Sequence, residues 1–101
     1  MKKLTKEEIS DYKEEIRELT ELLHTEWSDL KEILSQEIDL EGAYLCGYYE
    51  DEDEGEYGAI LTGTKEIYQF SVQDGVLQLN RIAKAEDIED DFPQVLVAVK
   101  M

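Results

Sequence analysis

The residues with the most recognisable metal-binding spacing are Glu21 and His24, which form an E-x-x-H sequence. In a helix this spacing places a carboxylate and an imidazole on one face, as in carboxylate-bridged di-metal bundles. Such a centre needs a second E-x-x-H pair and further glutamates, whereas His24 is the only histidine of the chain. Both side chains should also face solvent, opposite the apolar side of the helix. We therefore predict a solvated helix surface and no metal or other cofactor.

A second group of potential ligands lies in the acidic segment 50–56, which reads Glu-Asp-Glu-Asp-Glu-Gly-Glu. An EF-hand calcium loop has glycine at about its sixth position and a bidentate glutamate at about its twelfth. If Gly55 took the glycine position, Leu61 would take the glutamate position, and leucine offers no ligand atom. We therefore expect at most loose, unspecific cation binding by this segment.

Cys46 is the only cysteine and the only candidate for a thiol nucleophile. A catalytic thiol needs a base beside it, and the sole histidine is His24. Cys46 also lies in a tyrosine-rich segment predicted to be a strand, where a small buried side chain is expected. The scattered glycines form no phosphate-binding loop. We expect the protein not to be an enzyme; an acid–base pair among the many carboxylates is the alternative that the sequence leaves open.

The composition indicates one small domain covering residues 1–101. Hydrophobic residues make up 42% of the chain, enough for a modest core. A lone cysteine cannot form an internal disulfide, and we find neither a signal peptide nor an apolar run of about 18 residues. These features predict a cytoplasmic protein that does not span a membrane.

The charge of the chain is unusual, with 26 acidic against 10 basic residues and a formal net charge of −16. Phosphate groups would be repelled, so direct binding to nucleic acid or anionic lipid is not expected. A basic protein is the expected partner. Basic surfaces are commonest on proteins that handle nucleic acid.

The first 41 residues are predicted to be helical. Thr5 and Glu8 form a T-x-x-E capping box, and apolar residues then recur at gaps of three and four as one amphipathic stripe. A break near residues 24–28 is the alternative to one continuous helix, and Thr25 or Ser28 could then cap the second part.

After Gly42 the apolar period changes to two, which indicates strands. We predict strands over 43–50, 57–62, 66–73 and 76–83, with Asp74-Gly75 as a hairpin turn. One helical turn or a loop is expected over 85–91, and a short buried strand over 94–100. The predicted fold is α+β: a long N-terminal amphipathic helix packed on a four- to five-stranded, mainly antiparallel sheet.

Opposite the apolar stripe, the predicted helix carries a row of carboxylates. This acidic row consists of Glu7, Asp11, Glu14, Glu18 and Glu21. Its members recur about every 4.5 to 6 Å along the axis, which is comparable to the spacing of charges along a nucleic-acid strand. Like charges so placed destabilise a helix by a few tenths of a kcal/mol per pair. Two interpretations stand: an ordinary solvated face, or a surface that imitates nucleic acid.

A second acidic surface is interleaved with tyrosines. This hairpin tip consists of Tyr49, Glu50, Asp51, Glu52, Asp53, Glu54, Glu56 and Tyr57. Tyrosine and carboxylate together suit recognition of arginine and lysine by cation–π contact and charge-assisted hydrogen bonds. A solvated hairpin end with tyrosines favoured by strand propensity is the alternative. A third acidic group, residues 86–91, adds to the negative field.

A helical part followed by an antiparallel sheet with an acidic hairpin resembles, in plan, the phage-encoded DNA-mimic inhibitors such as the uracil-DNA glycosylase inhibitors. The resemblance concerns the order of elements only, without a shared motif, and assigns no residue a role. It favours an inhibitor or immunity-type protein that occludes the basic cleft of a nuclease, a CRISPR or restriction effector or a DNA-repair enzyme. The alternative is a dimeric adaptor or structural protein that associates through the apolar stripe.

Overall fold

The computed structural model describes residues 4–53 and 55–101. The elements are, in order, α1, Lys6–Thr25; α2, Ser28–Ser35; β1, Tyr44–Asp51; β2, Gly55–Leu61; β3, Ile67–Gln73; β4, Val76–Ile82; a 3₁₀ helix, Ala85–Ile88; and α3, Gln94–Ala98. The predicted α+β class is confirmed, because N-terminal helices pack on an antiparallel sheet. The 3₁₀ helix lies in the segment predicted as a helical turn or loop.

α1 begins at the predicted capping box. The Glu8 N–H donates to Thr5 Oγ1 over 3.1 Å, and the Thr5 N–H donates to Glu8 Oε1 over 3.3 Å. These bonds satisfy donors that the first helical turn would otherwise leave unpaired. The start of the amphipathic helix is therefore fixed by local sequence.

The helical part is broken within the predicted range, between Thr25 and Ser28. The predicted caps are wrong: Trp27 precedes α2 and makes no side-chain cap. The Thr25 hydroxyl instead donates back to the Glu21 carbonyl over 2.8 Å. A threonine within the last turn of a helix can reach the carbonyl four residues earlier, so this hydroxyl is already engaged in α1.

The four strands form one sheet in the order β1-β2-β3-β4, and all neighbours are antiparallel. The predicted hairpin turn links β3 and β4, with positive φ at Asp74 and Gly75 (54° and 78°). Positive φ at both central residues matches the right-handed twist of a two-residue hairpin. β1 carries an irregularity between Leu45 and Gly47.

The predicted fifth strand over 94–100 is wrong, since Gln94–Ala98 is the helix α3. Every residue of α3 is buried. A short apolar run fits a buried strand and a buried helix equally by periodicity, and a helix that is apolar all round can sit inside a core. Pro93 takes helical backbone angles (φ −60°, ψ −21°) and starts the turn.

The sheet buries apolar side chains on both faces. On one face, Phe70 and Ile60 pack with α2 and the C-terminal half of α1. On the other, Leu61 and Ile67 pack with α3, the 3₁₀ helix and Ile16 of α1. α1 therefore lies along the edge strand β1 and contributes to both clusters.

None of the helices in residues 4–53 and 55–101 is long and apolar enough to cross a membrane.

Candidate functional site

The acidic row lies on the outer face of α1, and all of its members are exposed. These are Glu7, Asp11, Glu14, Glu18 and Glu21. The buried residues of the helix, Ile16 and Leu23, lie on the side that packs against the sheet and α3. From Glu7 to Glu21 the row extends about 21 Å at 1.5 Å per residue.

Within the described residues, no side chain of the acidic row forms an ion pair or a side-chain hydrogen bond. Lys13 and Arg17 border the row and are exposed, and neither is paired with it. The only carboxylate of α1 held by a long-range contact is Glu15, whose oxygens accept from Gln94 Nε2 at 3.4 and 3.5 Å. The row is thus a surface of charges with no structural contact among the described residues.

The hairpin tip lies where β1 turns into β2. Glu50, Asp51, Glu52 and Asp53 are exposed, whereas Glu56 and Tyr57 are half-buried. Glu54, also predicted as part of the tip, lies outside the described residues.

Local hydrogen bonds shape the tip. The Asp53 N–H donates to Asp51 Oδ1 over 2.8 Å, and the Asp53 carbonyl accepts from Gln73 Nε2 over 3.3 Å. Gly55 has φ +83°, a backbone conformation that favours glycine. Asp53 and Gly55 are therefore held in place by local hydrogen bonds and backbone conformation.

Consecutive tyrosines of β1 point to opposite faces of the sheet. The Tyr48 ring stacks on Trp27 with centroids 4.5 Å apart, which brings the junction between α1 and α2 close to β1. Burial, together with the nearby carboxylates of Glu56 and Glu50, raises the pKa of Tyr48 to about 12.

Tyr49 faces the other way and is 41% exposed. Its ring centroid lies 5.4 Å from that of Tyr57 and 5.6 Å from that of Phe92, and both pairs are tilted. Such tilted arrangements are favourable for aromatic pairs. The three rings make an aromatic cluster with one open side.

The aromatic cluster forms part of a cleft of about 560 Å³. We call it the Tyr49 cleft. On its sheet side the cleft is lined by Tyr49, Tyr57, Gln69, Ser71 and Asn80, and on its other side by Asp90, Asp91 and Phe92. Its volume falls within the range of about 300–1,000 Å³ that is typical of ligand sites.

The strand register explains the polar lining. Tyr57 pairs with Tyr49 and Ser71, and Gln69 pairs with Asn80. Directly paired residues project on the same face, so these side chains form adjoining rows. The neighbouring row, Leu61–Ile67–Ile82, packs in the cluster that contains α3.

The sequence-predicted site residues thus separate into distinct places. Tyr49 and Tyr57 line the Tyr49 cleft, whereas the acidic row lies on α1. Asp90 and Asp91 line the cleft beside Phe92. From the sequence, they were expected only to add to the negative field of the protein. Gln69 and Asn80 are not among the predicted site residues, although each lies two residues from Ile67 or Ile82 on the same face of its strand, which indicates a face that changes from apolar to polar.

A second acidic cleft of about 560 Å³ lies between the α2–β1 connection and the β2–β3 turn. Its carboxylates include Glu37, Asp39, Glu41 and Glu66. The Tyr68 hydroxyl donates to Glu66 Oε2 over 2.7 Å, and this hydrogen bond raises the pKa of Tyr68. These groups extend the negative surface beyond the row and the tip.

The residues considered for chemistry do not form a site together. His24 is exposed on α1, whereas Cys46 is fully buried in β1. Among the described residues there is no group of three or more histidine, cysteine or carboxylate side chains placed to hold a metal ion.

Comparison with known proteins gives no match: no protein-family model, no curated protein sequence and no solved structure is similar to this chain.

Proposed function

We propose that this chain is a non-enzymatic, cytoplasmic binding protein that acts as an inhibitor or immunity-type protein. It would imitate the charge of nucleic acid and occlude the basic cleft of a nuclease, a CRISPR or restriction effector or a DNA-repair enzyme. The observation that carries this proposal is the acidic row, an exposed line of carboxylates with no partner among the described residues.

The spacing of the row supports the proposal. Its charges recur about every 4.5 to 6 Å along the helix, against about 3.4 Å of duplex axis per phosphate of one strand. A basic cleft that follows a phosphate backbone would meet a similar line of negative charge on α1. The net charge of −16 would also accelerate association with such a cleft.

The Glu21 end of the row is the end connected to the strand that carries the hairpin tip. Glu21 is within two turns of Trp27, and Trp27 stacks on Tyr48, two residues before Glu50. A large basic cleft could therefore contact both features.

The test compares two variants with the same change in net charge. The row variant carries Glu7→Gln, Asp11→Asn, Glu14→Gln, Glu18→Gln and Glu21→Gln. The control variant neutralises exposed carboxylates elsewhere, by Glu32→Gln, Glu37→Gln, Glu41→Gln, Asp74→Asn and Glu86→Gln. Partners are captured from host lysate at low salt and identified by mass spectrometry, and their affinities are then measured between about 50 and 200 mM salt.

The row variant should bind a nucleic-acid-handling partner more slowly and with a flatter salt dependence than the control variant. Wild-type protein should also displace nucleic acid from that partner. Equal affinities and salt slopes for the two variants would remove the row from the proposal. If the hairpin-tip substitutions Glu52→Gln and Asp53→Asn were silent as well, the acidity would be a solubility feature.

The same proposal requires that the protein does not bind nucleic acid itself. A gel-shift assay with duplex DNA and single-stranded RNA should show no complex at micromolar protein and physiological salt, because every phosphate contact would be repulsive. A reproducible shift would contradict the electrostatic basis of the proposal.

The alternative, a dimer through the apolar stripe, is a separate hypothesis. Ile16 and Leu23 of the stripe are fully buried within the protomer, so such a dimer would have to form through half-buried residues such as Ile33 and Trp27. Sedimentation at several salt concentrations distinguishes the two, since a hydrophobic dimer would persist at high salt.

A further inference from the structure

The Tyr49 cleft combines an aromatic wall with a negative rim. Asp90 and Asp91 are exposed, and within residues 4–53 and 55–101 neither carboxylate accepts a hydrogen bond or forms an ion pair. No lysine, arginine or histidine is found among the described residues that line the cleft. The negative charge at this rim is therefore available to a cation from outside.

The opposite wall offers a π-face. Tyr49 is 41% exposed, and its ring is held from two sides by Tyr57 and Phe92. Phe92 is itself held against the backbone of β1, because it packs where Gly47 has no side chain. A ring fixed in this way can receive a planar cation with little loss of side-chain entropy.

The polar floor supplies hydrogen-bond acceptors. Gln69, Ser71 and Asn80 present amide and hydroxyl oxygens from adjoining strands. A planar group with several N–H donors could stack on Tyr49 and still reach these oxygens and the carboxylates. Guanidinium has five N–H donors in a fixed plane, whereas the ammonium of lysine is a compact point charge.

We infer that the Tyr49 cleft is a binding site for the guanidinium group of an arginine side chain presented by a protein partner. The choice of a protein as the source rests on the proposed function, because basic clefts for nucleic acid are rich in arginine. The geometry of the cleft favours arginine over lysine. Its negative rim disfavours phosphates and nucleotides.

The inference is tested first without any partner, by titrating ¹⁵N-labelled protein with the blocked tripeptide acetyl-Gly-Arg-Gly-amide at low ionic strength. The lysine and citrulline versions of the peptide are the controls, since citrulline has nearly the shape of arginine but no charge. The arginine peptide should give saturable shifts at the amides of Tyr49, Ser71, Asn80 and Asp91. The lysine peptide should bind several-fold more weakly, and the citrulline peptide should give no saturable shift.

Two variants then assign the site. Asp90→Asn with Asp91→Asn should weaken the arginine peptide about tenfold, as expected for loss of charge-assisted hydrogen bonds. Glu32→Gln with Glu86→Gln makes the same change in net charge at exposed positions outside the cleft and should leave the affinity within about twofold. Tyr49→Leu should reduce the preference for arginine over lysine, and its unchanged melting temperature would show that the fold is intact.

Equal shifts with the arginine and citrulline peptides, or equal losses in the two carboxylate variants, would overturn the guanidinium site. A mononucleotide that shifted the same amides while the arginine peptide did not would reassign the cleft to a nucleobase and refute the inference. The proposed function is tested separately by partner capture with the row variant. If the arginine peptide did not bind the cleft but the row variant still lost affinity for its partner, only the guanidinium site would be refuted.

Discussion

The hydroxyl of Thr20 in α1 accepts a hydrogen bond from the N–H of Leu45 in β1 over 2.9 Å. The same hydroxyl donates to the Ile16 carbonyl over 2.7 Å. β1 is an edge strand, and edge strands present backbone groups that no neighbouring strand satisfies. One helix side chain thus joins α1 to the edge of the sheet.

We expect Thr20→Val to destabilise the protein by about 1–3 kcal/mol, because the Leu45 N–H would lose its acceptor in a part-buried place. Urea unfolding measures the effect. Thr25→Val is the matched control, since the Thr25 hydroxyl makes the same bond within the helix but is exposed. Equal losses in the two variants would show that the contact with Leu45 contributes nothing to stability.

Gly47→Ala should destabilise the fold through a clash with Phe92. A Cβ at position 47 would lie 2.6 Å from Phe92 Cδ1, and overpacking of this kind costs about 1–3 kcal/mol. Thermal unfolding of Gly47→Ala, Phe92→Leu and the double variant checks the cause. The smaller leucine should relieve the clash, so the double variant should be more stable than the sum of the single losses predicts. Strict additivity would contradict this.

Cys46 should react slowly with thiol reagents in the native protein. The side chain is fully buried, and burial raises the pKa of its thiol from 9.0 to about 12. Little thiolate therefore exists at about pH 8, and the reagent reaches Cys46 only when the protein unfolds locally or globally. Labelling in urea should be far faster. A native rate equal to the rate in urea would mean that β1 opens readily.

The same pKa gives a pH dependence of stability. Because the pKa of Cys46 is higher in the folded than in the unfolded chain, its contribution is complete below pH 9 and is lost as the pH rises toward 12. The free energy of unfolding should therefore fall between about pH 9 and 10, before ordinary tyrosines ionise. Cys46→Ala should make that slope shallower. If the free energy of unfolding fell equally steeply with pH in wild type and in Cys46→Ala, Cys46 would not be the source of the pH dependence.

Neutralising the acidic row should not weaken the fold. The row variant removes like-charge pairs along α1, and its stability at low salt should be equal to or up to about 1 kcal/mol above that of wild type. Glu7 lies in the first turn and favours the helix dipole, which limits the gain. The difference should shrink at high salt. A loss greater than about 1 kcal/mol would reveal a structural role for the row.

The features predicted well from the sequence are those fixed by neighbouring residues. The Thr5–Glu8 box and the positive-φ pair Asp74-Gly75 lie where local chemistry places them. The strand prediction over 94–100 is wrong because the apolar residues of this segment are buried on all sides, and such a run lacks the alternation that separates strand from helix.

The acidic row could be located from helical periodicity, because exposure on one face follows directly from the stripe on the other. The Tyr49 cleft could not, because it depends on strand register and on the return of residues 90–92 over the sheet. The only local signal is that Gln69 and Ser71 follow Ile67 on the same face of β3, which indicates a polar end to that face. No local pattern specifies that Phe92 packs at Gly47.

The two apolar clusters on opposite faces of the sheet have consequences for the order in which parts of the chain dock and undock. The cluster around Phe70 and Ile60 draws all of its members from residues 19–79, so it contains no residue of the segment 85–101. The cluster around Leu61 and Ile67 needs Ala85, Phe92 and the residues of α3. We therefore expect a partly folded form in which residues 85–101 are undocked, with one face of the sheet covered and the other exposed to solvent. A chaperone that binds exposed apolar strands would recognise it until the last segment docks.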